Sequence, residues 1–506
     1  TPDAKTRGVV IGFDGRRMSR EFAEDTACVL AANGIRALLF EDYAPTPLTA
    51  FAVSELGAAA GVMVTASHNP REYNGYKVYW GNGAQIIPPI DAGIAAEIAR
   101  APSAREVPRM PREAARAEGL VAPVSAAVLG AYLDGVRALS VHAPSAEGKR
   151  LPIVYTPMHG VGGAVARMAF DQSGFEHVSV VPEQAEPDGE FPTVAFPNPE
   201  EKGAMDLSFA LARRVKAELV IANDPDADRL AVAVPSKDSP TGFTQLTGNQ
   251  VGILLGHYLL TEGASSAPAG SERLVLVSIV SSPLLGAIAR KLGAGYGETL
   301  TGFKWIANRA MELEAGGGKR FVFGYEEALG YTVGDLVRDK DGISAALIMA
   351  EMVAWLRDKE QTLLGELEAI YRKYGLYVSS QVNVTRPGAK GVEEIRALMD
   401  RLRSAAPRAI GSHLVRVLRD YDAKTELHLE DGHTEPLTLP KSNVLAFELE
   451  GGSRIIARPS GTEPKIKFYF DICEAVREGE PMSMAEERAL QTMEGLKGAF
   501  VALAQV

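Results

Sequence analysis

Cysteine is almost missing from this chain: 506 residues carry two, Cys28 and Cys473. They stand far apart in apolar-rich segments, which excludes a disulfide framework or a thiolate metal site and fits reduced core residues of a cytoplasmic protein. Long hydrophobic runs are missing as well. The longest, residues 343–356, is broken by Ser344 and Glu351 and is too short to span a bilayer. No signal-peptide pattern opens the sequence at Thr1, which follows no initiator methionine. No membrane association is expected. Basic residues are outnumbered, 53 Lys and Arg against 64 Asp and Glu, so the net charge of -11 repels polyanions and argues against nucleic acid as a partner. Familiar nucleotide and hydrolase signatures are absent too. There is no G-x-x-x-x-G-K-[ST] phosphate loop and no G-x-S-x-G elbow, and Gly160-Val161-Gly162-Gly163 lacks the spacing of a dinucleotide fingerprint.

An ordinary globular composition remains, 46% apolar and 23% charged. The length exceeds what one core supports and implies about three to four domains, hence clefts between them. A repeated plan emerges when the apolar runs are aligned by the loops on their C-terminal side. Residues 8–14 pair with the run 58–64, residues 151–155 with 217–222, and residues 273–278 with 320–323. Each reads as a short buried strand, and helical patterns lie between the members at 19–32, 204–215 and 282–292. The second strand of each pair ends in a loop of unusual composition: 65–70, 223–229 and 324–330. After Tyr374 the pattern changes. An alternating strand at 377–384 leads to a helix near 392–403 and then to a hairpin of 444–450 and 454–457 around Gly451-Gly452. A last helix runs towards Ala504, with Ser483 and Glu486 as a capping-box pattern. The expected fold is α/β: three similar α/β domains with mixed sheets, plus a smaller α+β C-terminal domain, around a central cleft. The expected boundaries are 1–148, 149–268, 269–374 and 375–506.

The loop Thr65-Ala66-Ser67-His68-Asn69-Pro70 puts a hydroxyl on a tight turn directly after a buried strand, where open α/β sheets place their chemistry. On its own such a segment is a plain Ser/Asn-Pro turn. His68 beside Ser67 does not make a serine hydrolase, because sequence neighbours rarely face each other. Asn223-Asp224-Pro225-Asp226-Ala227-Asp228-Arg229 sets three carboxylates at alternate positions, and hard oxygen donors of this kind suit Mg2+. An EF-hand calcium loop is ruled out by Arg229 at its sixth position and Pro235 at its twelfth. Taken alone, the segment could still be a solvated acidic turn. Arg458-Pro459-Ser460-Gly461-Thr462 combines a guanidinium, two hydroxyls and an open backbone, which fits a phosphate dianion, although such a loop is as often a plain turn. Glu326 and Glu327 offer acceptors for vicinal sugar hydroxyls, while paired exposed glutamates are commonly just solvated. Lys77, Lys304, Arg338 and Lys340 lie in loop-like contexts where most basic side chains face solvent. Together, a serine, a magnesium triad and a phosphate cradle describe phosphoryl transfer.

In this order the four loops closely resemble the α-D-phosphohexomutase superfamily, the phosphoglucomutases and phosphomannomutases, over nearly the whole chain. The resemblance implies that Ser67 carries the phosphoryl group, that Asp224, Asp226 and Asp228 hold Mg2+ with phosphorylated Ser67, and that Arg229 lies next to that phosphate. Glu326 is similar to the family's sugar-binding glutamate, and Arg458, Ser460, Gly461 and Thr462 match its distal phosphate loop. Lys77 and Lys340 become candidates for general acid or base, and His68 is counted with Ser67, Arg229 and the two lysines as a catalytic-site residue whose role is to shape the loop. Thr301, Gly302, Lys304, Glu327 and Arg338 are further substrate-binding candidates. A fourth domain that closes the cleft and excludes water is also implied.

Two departures from the family pattern stand out. Ala328 replaces the serine of the family's Glu-x-Ser, as in a branch that includes phosphopentomutases and sugar-bisphosphate synthases. The arginine-bearing loop upstream of the strand equivalent to 8–13 is not in this sequence, and Arg16 and Ser19 match a later family segment that cannot be assumed to substitute. The expected activity is interconversion of hexose 1-phosphate and hexose 6-phosphate, with glucose ahead of mannose and a sugar 1,6-bisphosphate as activator. A pentose-phosphate mutase and a sugar-1,6-bisphosphate synthase are the nearest alternatives. A metal-dependent phosphatase would leave the distal phosphate loop unexplained, and a catalytically silent sugar-phosphate sensor is a third class. Small-molecule sugar phosphates are the expected partners.

Overall fold

The computed structural model describes residues 3–263, 271–460 and 464–504. The first sheet holds β1 (Val9–Phe13), β2 (Ala37–Leu39), β3 (Ala60–Val64), β4 (Tyr76–Trp80) and β5 (Val121–Pro123), in the order β4-β3-β1-β2-β5. The second holds β6 (Ile153–Thr156), β7 (Val178–Val180), β8 (Leu219–Ala222), β9 (Ala231–Pro235) and β10 (Phe243–Gln245), in the order β10-β9-β8-β6-β7. The third holds β11 (Glu272–Ser278), β12 (Gly295–Thr299), β13 (Lys319–Glu326) and β14 (Gly330–Val333), in the order β12-β11-β13-β14.

The same arrangement is used three times. β1, β6 and β11 each pair in parallel with β3, β8 and β13, and those strands pair antiparallel with β4, β9 and β14. The sheets are therefore mixed, and the three loops of unusual composition lie in the hairpin that joins the second parallel strand to its antiparallel neighbour. β1 shows why the strands read as unbroken apolar runs: all five residues are buried because both faces are covered. Helix Ser19–Ala32 packs Ala23, Ala27 and Ala31 against Val9, Ile11 and Phe13 on one face. Helix Thr46–Glu55 approaches the other face closely enough that a Cβ at Gly12 would stand 2.1 Å from Thr49 Oγ1. Each fully buried Val or Ile contributes ~1.5–3 kcal/mol to such a core.

Several local expectations shift. β13 runs on to Glu326 because β14 continues the ladder to the Glu326–Gly330 pair, so Gly324 to Glu326 is strand and not loop. The apolar stretch near 343–356 is helix Gly342–Asp358, buried almost all round. Among the described residues no helix is long and apolar enough to cross a membrane. Cys28 and Cys473 are free thiols, half-buried rather than core residues.

The chain divides into two compact units. One comprises Thr1–Val277, Leu292–Gly297 and Gly302–Leu363, and the other comprises Ser278–Lys291, Glu298–Thr301 and Leu364–Val506. The second unit contains an antiparallel sheet of β15 (Leu376–Thr385), β16 (Ala409–Ile410), β17 (His413–Asp420), β18 (Thr425–His428), β19 (Thr434–Pro436), β20 (Leu445–Leu449), β21 (Arg454–Pro459) and β22 (Lys465–Glu474). Its order is β15-β22-β21-β20-β17-β18-β19, with β16 beside β17. Phe500 of helix Met482–Ala504 packs edge-on against Phe447, Phe468 and Phe470. That helix begins at Met482, directly after Pro481, so Ser483 lies inside it and does not cap it. This is the smaller α+β unit expected of the C-terminal segment.

Candidate active site

The Ser67 loop is built from its own backbone outward. Thr65 ends the ladder by donating its N–H to Gly75 O at 3.1 Å, and its hydroxyl accepts the Ser67 N–H at 2.8 Å. Ser67 is left-handed, with φ 51°, a conformation that costs a non-glycine residue ~1–2 kcal/mol and needs surrounding contacts to hold it. The result is a hydroxyl that donates to Asp224 Oδ2 at 2.9 Å. His68 Nδ1 lies 3.3 Å from the same hydroxyl, and its ring faces Phe196. Burial, followed by the nearby Arg229 guanidinium, pushes the His68 pKa down to about 3, so the ring is neutral at physiological pH. A neutral ring in this position packs the loop and carries no charge to the serine.

Asp224, Asp226 and Asp228 are fully buried in the turn between β8 and β9. The turn sits so tightly on the 157–163 segment that a Cβ at Gly160 would stand 2.4 Å from Pro225 Cα. The Gly160-Val161-Gly162-Gly163 run thus serves close packing rather than a dinucleotide. Each carboxylate has a cation beside it. Lys77 from β4 donates to Asp226 Oδ2 at 2.6 Å and to Asp228 Oδ2 at 2.5 Å. Lys340 stands 3.0 Å from Asp228 Oδ2, and Arg229 Nε stands 3.9 Å from Asp224 Oδ2. Burial and the two neighbouring carboxylates push the Asp224 carboxyl up. Burial also acts to raise Asp226, but Lys77 and the Thr46 hydroxyl outweigh it and hold that carboxyl below the usual range. Burial lowers both lysines, and their carboxylate partners more than compensate, so both remain charged.

The three carboxylates can each supply an oxygen within 4.8 Å of the others. Asp226 Oδ1 and Asp228 Oδ1 are buried and have no hydrogen-bond partner among the described residues. Orphaned hard oxygens in a buried triad fit a divalent cation of the Mg2+ type.

The other predicted residues separate into groups. Glu326 is buried at the end of β13 and accepts the Gly302 N–H at 2.7 Å; burial raises its pKa, partly offset by Lys340. Gly302 has φ 116° and opens helix Phe303–Ala315, and Lys340 Nζ stands 5.7 Å from the Phe303 ring centre. Lys304 lies over Trp305 on that helix, while Arg338 donates to Asn82 O at 2.6 Å; neither has a contact with the triad among those described. Glu327 and Thr301 are half-buried. Arg458 is not on a loop: it lies in β21 opposite Lys467, because that strand runs to Pro459. The Ser460 N–H donates to Lys465 O at 2.7 Å, and Gly461 and Thr462 lie outside the described residues.

Sequence reasoning missed the layer beneath. Thr46 donates its hydroxyl to Asp226 Oδ2 at 2.6 Å and its N–H to Asp226 O at 2.9 Å. Asp339, held by Tyr79 and Gln85 at 2.7 Å each, faces Lys340 Nζ at 3.6 Å. Arg16 directs its guanidinium into the Ser67 loop.

Comparison with known proteins gives the same outline. Models of phosphoglucomutase/phosphomannomutase match the chain in order: alpha/beta/alpha domain I at residues 1–105, domain II at 130–237, domain III at 247–374 and the C-terminal domain at 381–487. The chain is 43% identical over 471 residues to a protein of Haemophilus influenzae named "Probable phosphomannomutase", covering 92% of this chain and 88% of that one. It is 39% identical over 506 residues to a phosphopentomutase of Homo sapiens, covering 96% and 81%. Its fold is similar to the open form of a Paramecium phosphoglucomutase, pp63/parafusin, with a TM-score of 0.72 at 19% identity over 99% of this chain and 89% of that one.

Proposed function

The chain belongs to the phosphoglucomutase/phosphomannomutase family of phosphotransferase isomerases, and from that premise we propose that it is a phosphosugar mutase interconverting hexose 1-phosphate and hexose 6-phosphate, with glucose as the first substrate to test. One observation carries this reading: the Ser67 hydroxyl meets Asp224 at 2.9 Å beside a buried triad with two orphaned oxygens. Phosphorylated Ser67 donates its phosphoryl group to the free hydroxyl of a bound sugar monophosphate. The bond from phosphorus to Ser67 Oγ breaks as the bond to the sugar oxygen forms, and the proton lost by the sugar hydroxyl is matched by the one that the departing Ser67 oxygen takes up to become a hydroxyl again. The resulting bisphosphate turns over and returns its other phosphate to Ser67, so the serine is regenerated in each cycle. A sugar 1,6-bisphosphate serves as the primer.

Asp224, Asp226 and Asp228, with the serine phosphate, would hold Mg2+, which would offset the charge of the transferring group. The two lysines divide the remaining work. Lys77 is committed to two carboxylate oxygens at 2.5 and 2.6 Å and fixes the loop electrostatically, whereas Lys340 makes longer contacts, to Asp228 at 3.0 Å and Asp339 at 3.6 Å, and as an ammonium is the better placed to hand a proton to the departing Ser67 oxygen and take the sugar hydroxyl's in its place. Arg229 neutralises the serine phosphate. Glu326 has one carboxylate oxygen fixed by Gly302 N–H, which leaves the other for sugar hydroxyls. Arg458 and Ser460 are assigned, with Gly461 and Thr462, to the phosphate that is not reacting.

A second reading is supported by Ala328, which removes a side-chain hydroxyl from the sugar loop, and by the phosphopentomutase relative. In it the substrate is a pentose 1-phosphate and the product the 5-phosphate. The test is purified enzyme with Mg2+ and a trace of bisphosphate, assayed on 1-phosphates of glucose, mannose and ribose. Isomerisation of one of them selects the sugar, and isomerisation of none sinks the mutase reading. Release of free phosphate instead would identify a phosphatase, and net accumulation of bisphosphate from a separate phosphoryl donor would identify a bisphosphate synthase.

A further inference from the structure

Arg16 lies in the turn after β1, and its side chain is 1% exposed. Its hydrogen bonds go to backbone. Nη2 donates to Ser67 O at 2.5 Å and Asn69 O at 2.6 Å, and Nη1 donates to Pro70 O at 2.8 Å and Tyr73 O at 3.3 Å. Nε pairs with Asp14 Oδ2 at 3.2 Å, and the Phe191 ring covers the plane at 5.0 Å. Asp14 is itself fixed, accepting the Arg16 N–H at 3.0 Å and the Ser19 hydroxyl at 2.6 Å; Ser19 in turn accepts Asn74 Nδ2 at 3.1 Å. The two ends of the loop thus meet one buried scaffold.

The loop has few internal means of holding its shape. The backbone bonds within 66–73 are Asn69 N–H to Ala66 O at 3.0 Å and Tyr73 N–H to Pro70 O at 3.1 Å. Against that, Ser67 must stay in a left-handed conformation for its hydroxyl to point at Asp224. A flat, five-donor guanidinium reaches four carbonyls at once, which a lysine ammonium with three donors cannot do.

We infer that Arg16 is a positioning residue for Ser67: it holds the loop through backbone carbonyls, clamps four of them, and keeps the nucleophile in line for phosphoryl exchange. The inference rests on the reading of Ser67 as phosphoryl carrier. Because a displacement of about 1 Å at a reacting centre costs about 100-fold in rate, the clamp acts on kcat and not on sugar-phosphate affinity.

The test compares wild type with Arg16→Ala, Arg16→Lys and the milder Ser19→Ala, each in the whole chain. Hydrogen exchange by mass spectrometry tracks the amides of residues 66–75, and steady-state kinetics tracks the best sugar 1-phosphate. In Arg16→Ala the loop amides should exchange faster while β1 and helix Ser19–Ala32 stay protected. Its kcat should fall about 100-fold with KM unchanged, and Arg16→Lys should recover part of both effects. Ser19→Ala should show the same loop-confined pattern at smaller amplitude, and it decides the matter with Arg16→Lys if Arg16→Ala does not fold. Unchanged loop exchange, a rise in KM at constant kcat, or loss of protection across the whole first sheet would overturn the inference. If the wild type isomerises no sugar phosphate, the mutase reading fails by itself, and loop exchange still decides whether Arg16 is the clamp.

Discussion

Replacing Thr46 by valine removes one hydroxyl and little else, and that hydroxyl donates to Asp226 Oδ2 at 2.6 Å in a fully buried setting. The same carboxylate oxygen also accepts Lys77 at 2.6 Å, so the variant loses one of two donors and Asp226 Oδ2 is not orphaned. The backbone bond from Thr46 N–H to Asp226 O at 2.9 Å persists, which keeps helix Thr46–Glu55 in place. A hydrogen bond to a charged group contributes ~1.5–3 kcal/mol, and with Lys77 still bound the lower end, ~1.5 kcal/mol of folding stability, is expected to be lost. The larger effect should be on cation binding. Thr46 fixes which oxygen of Asp226 is occupied and so leaves Oδ1 for a metal, and loss of such an outer contact typically weakens metal binding by about 10–100-fold. Titration calorimetry with Mg2+ and with Mn2+ on the unphosphorylated enzyme reads the affinity, and urea unfolding without metal reads the stability. Thr46→Ser, which keeps the donor, should stay near wild type in both. A valine variant that binds metal as tightly as wild type would refute the claim that Thr46 orients the triad.

Ser67→Ala should abolish isomerisation and incorporation of phosphate from a labelled sugar bisphosphate, while its unfolding midpoint stays near that of wild type; retained labelling would place the carrier elsewhere. Gly160→Ala would drive a Cβ to 2.4 Å from Pro225 Cα, so the Asp224 turn must shift, with a cost of ~1–3 kcal/mol in stability and weaker metal binding on the same calorimetric titration. His68 has a folded-state pKa of about 3 against about 6.5 when unfolded, so between those values the unfolded chain binds more protons and stability falls as pH drops. His68→Gln removes that contribution and should show a shallower loss of stability from pH ~6.5 down to ~3 in denaturant titrations; an unchanged slope would contradict a neutral buried ring.

The strand plan was legible because strands covered on both faces leave unbroken apolar runs, as Val9 to Phe13 does, and three of the candidate loops lie at the end of such a run. Thr65 carries a readable signal as well, since a threonine two residues before Ser67 can cap its N–H, although the bond itself is visible only in the fold. Thr46 carries none: it sits 180 residues from the carboxylate it orients, and pairing at that separation is decided by how two domains of one unit pack. Arg16 reads in the sequence as a family match of unassigned use, because a lone arginine after a strand does not reveal that its partners are carbonyls 51 to 57 residues onward. The Arg458 segment looks like a loop because proline and glycine punctuate it, yet pairing with β22 extends the strand through Pro459.

On the proposed reading, each of the first three sheets sets its chemistry at the end of a buried parallel strand and in the short span that leads to the antiparallel strand beside it. Such a span is tethered at both ends by backbone ladders, so its sequence and length can change without sliding the register of the strands that form the core. A change of sugar therefore does not require a new scaffold. The residues between β13 and β14, three in number here, can be exchanged for those of a relative with another preference, and the cation turn and the serine loop would be inherited intact. The architecture works as three interchangeable sockets on a fixed board, and diversification within it is a matter of rewriting inserts.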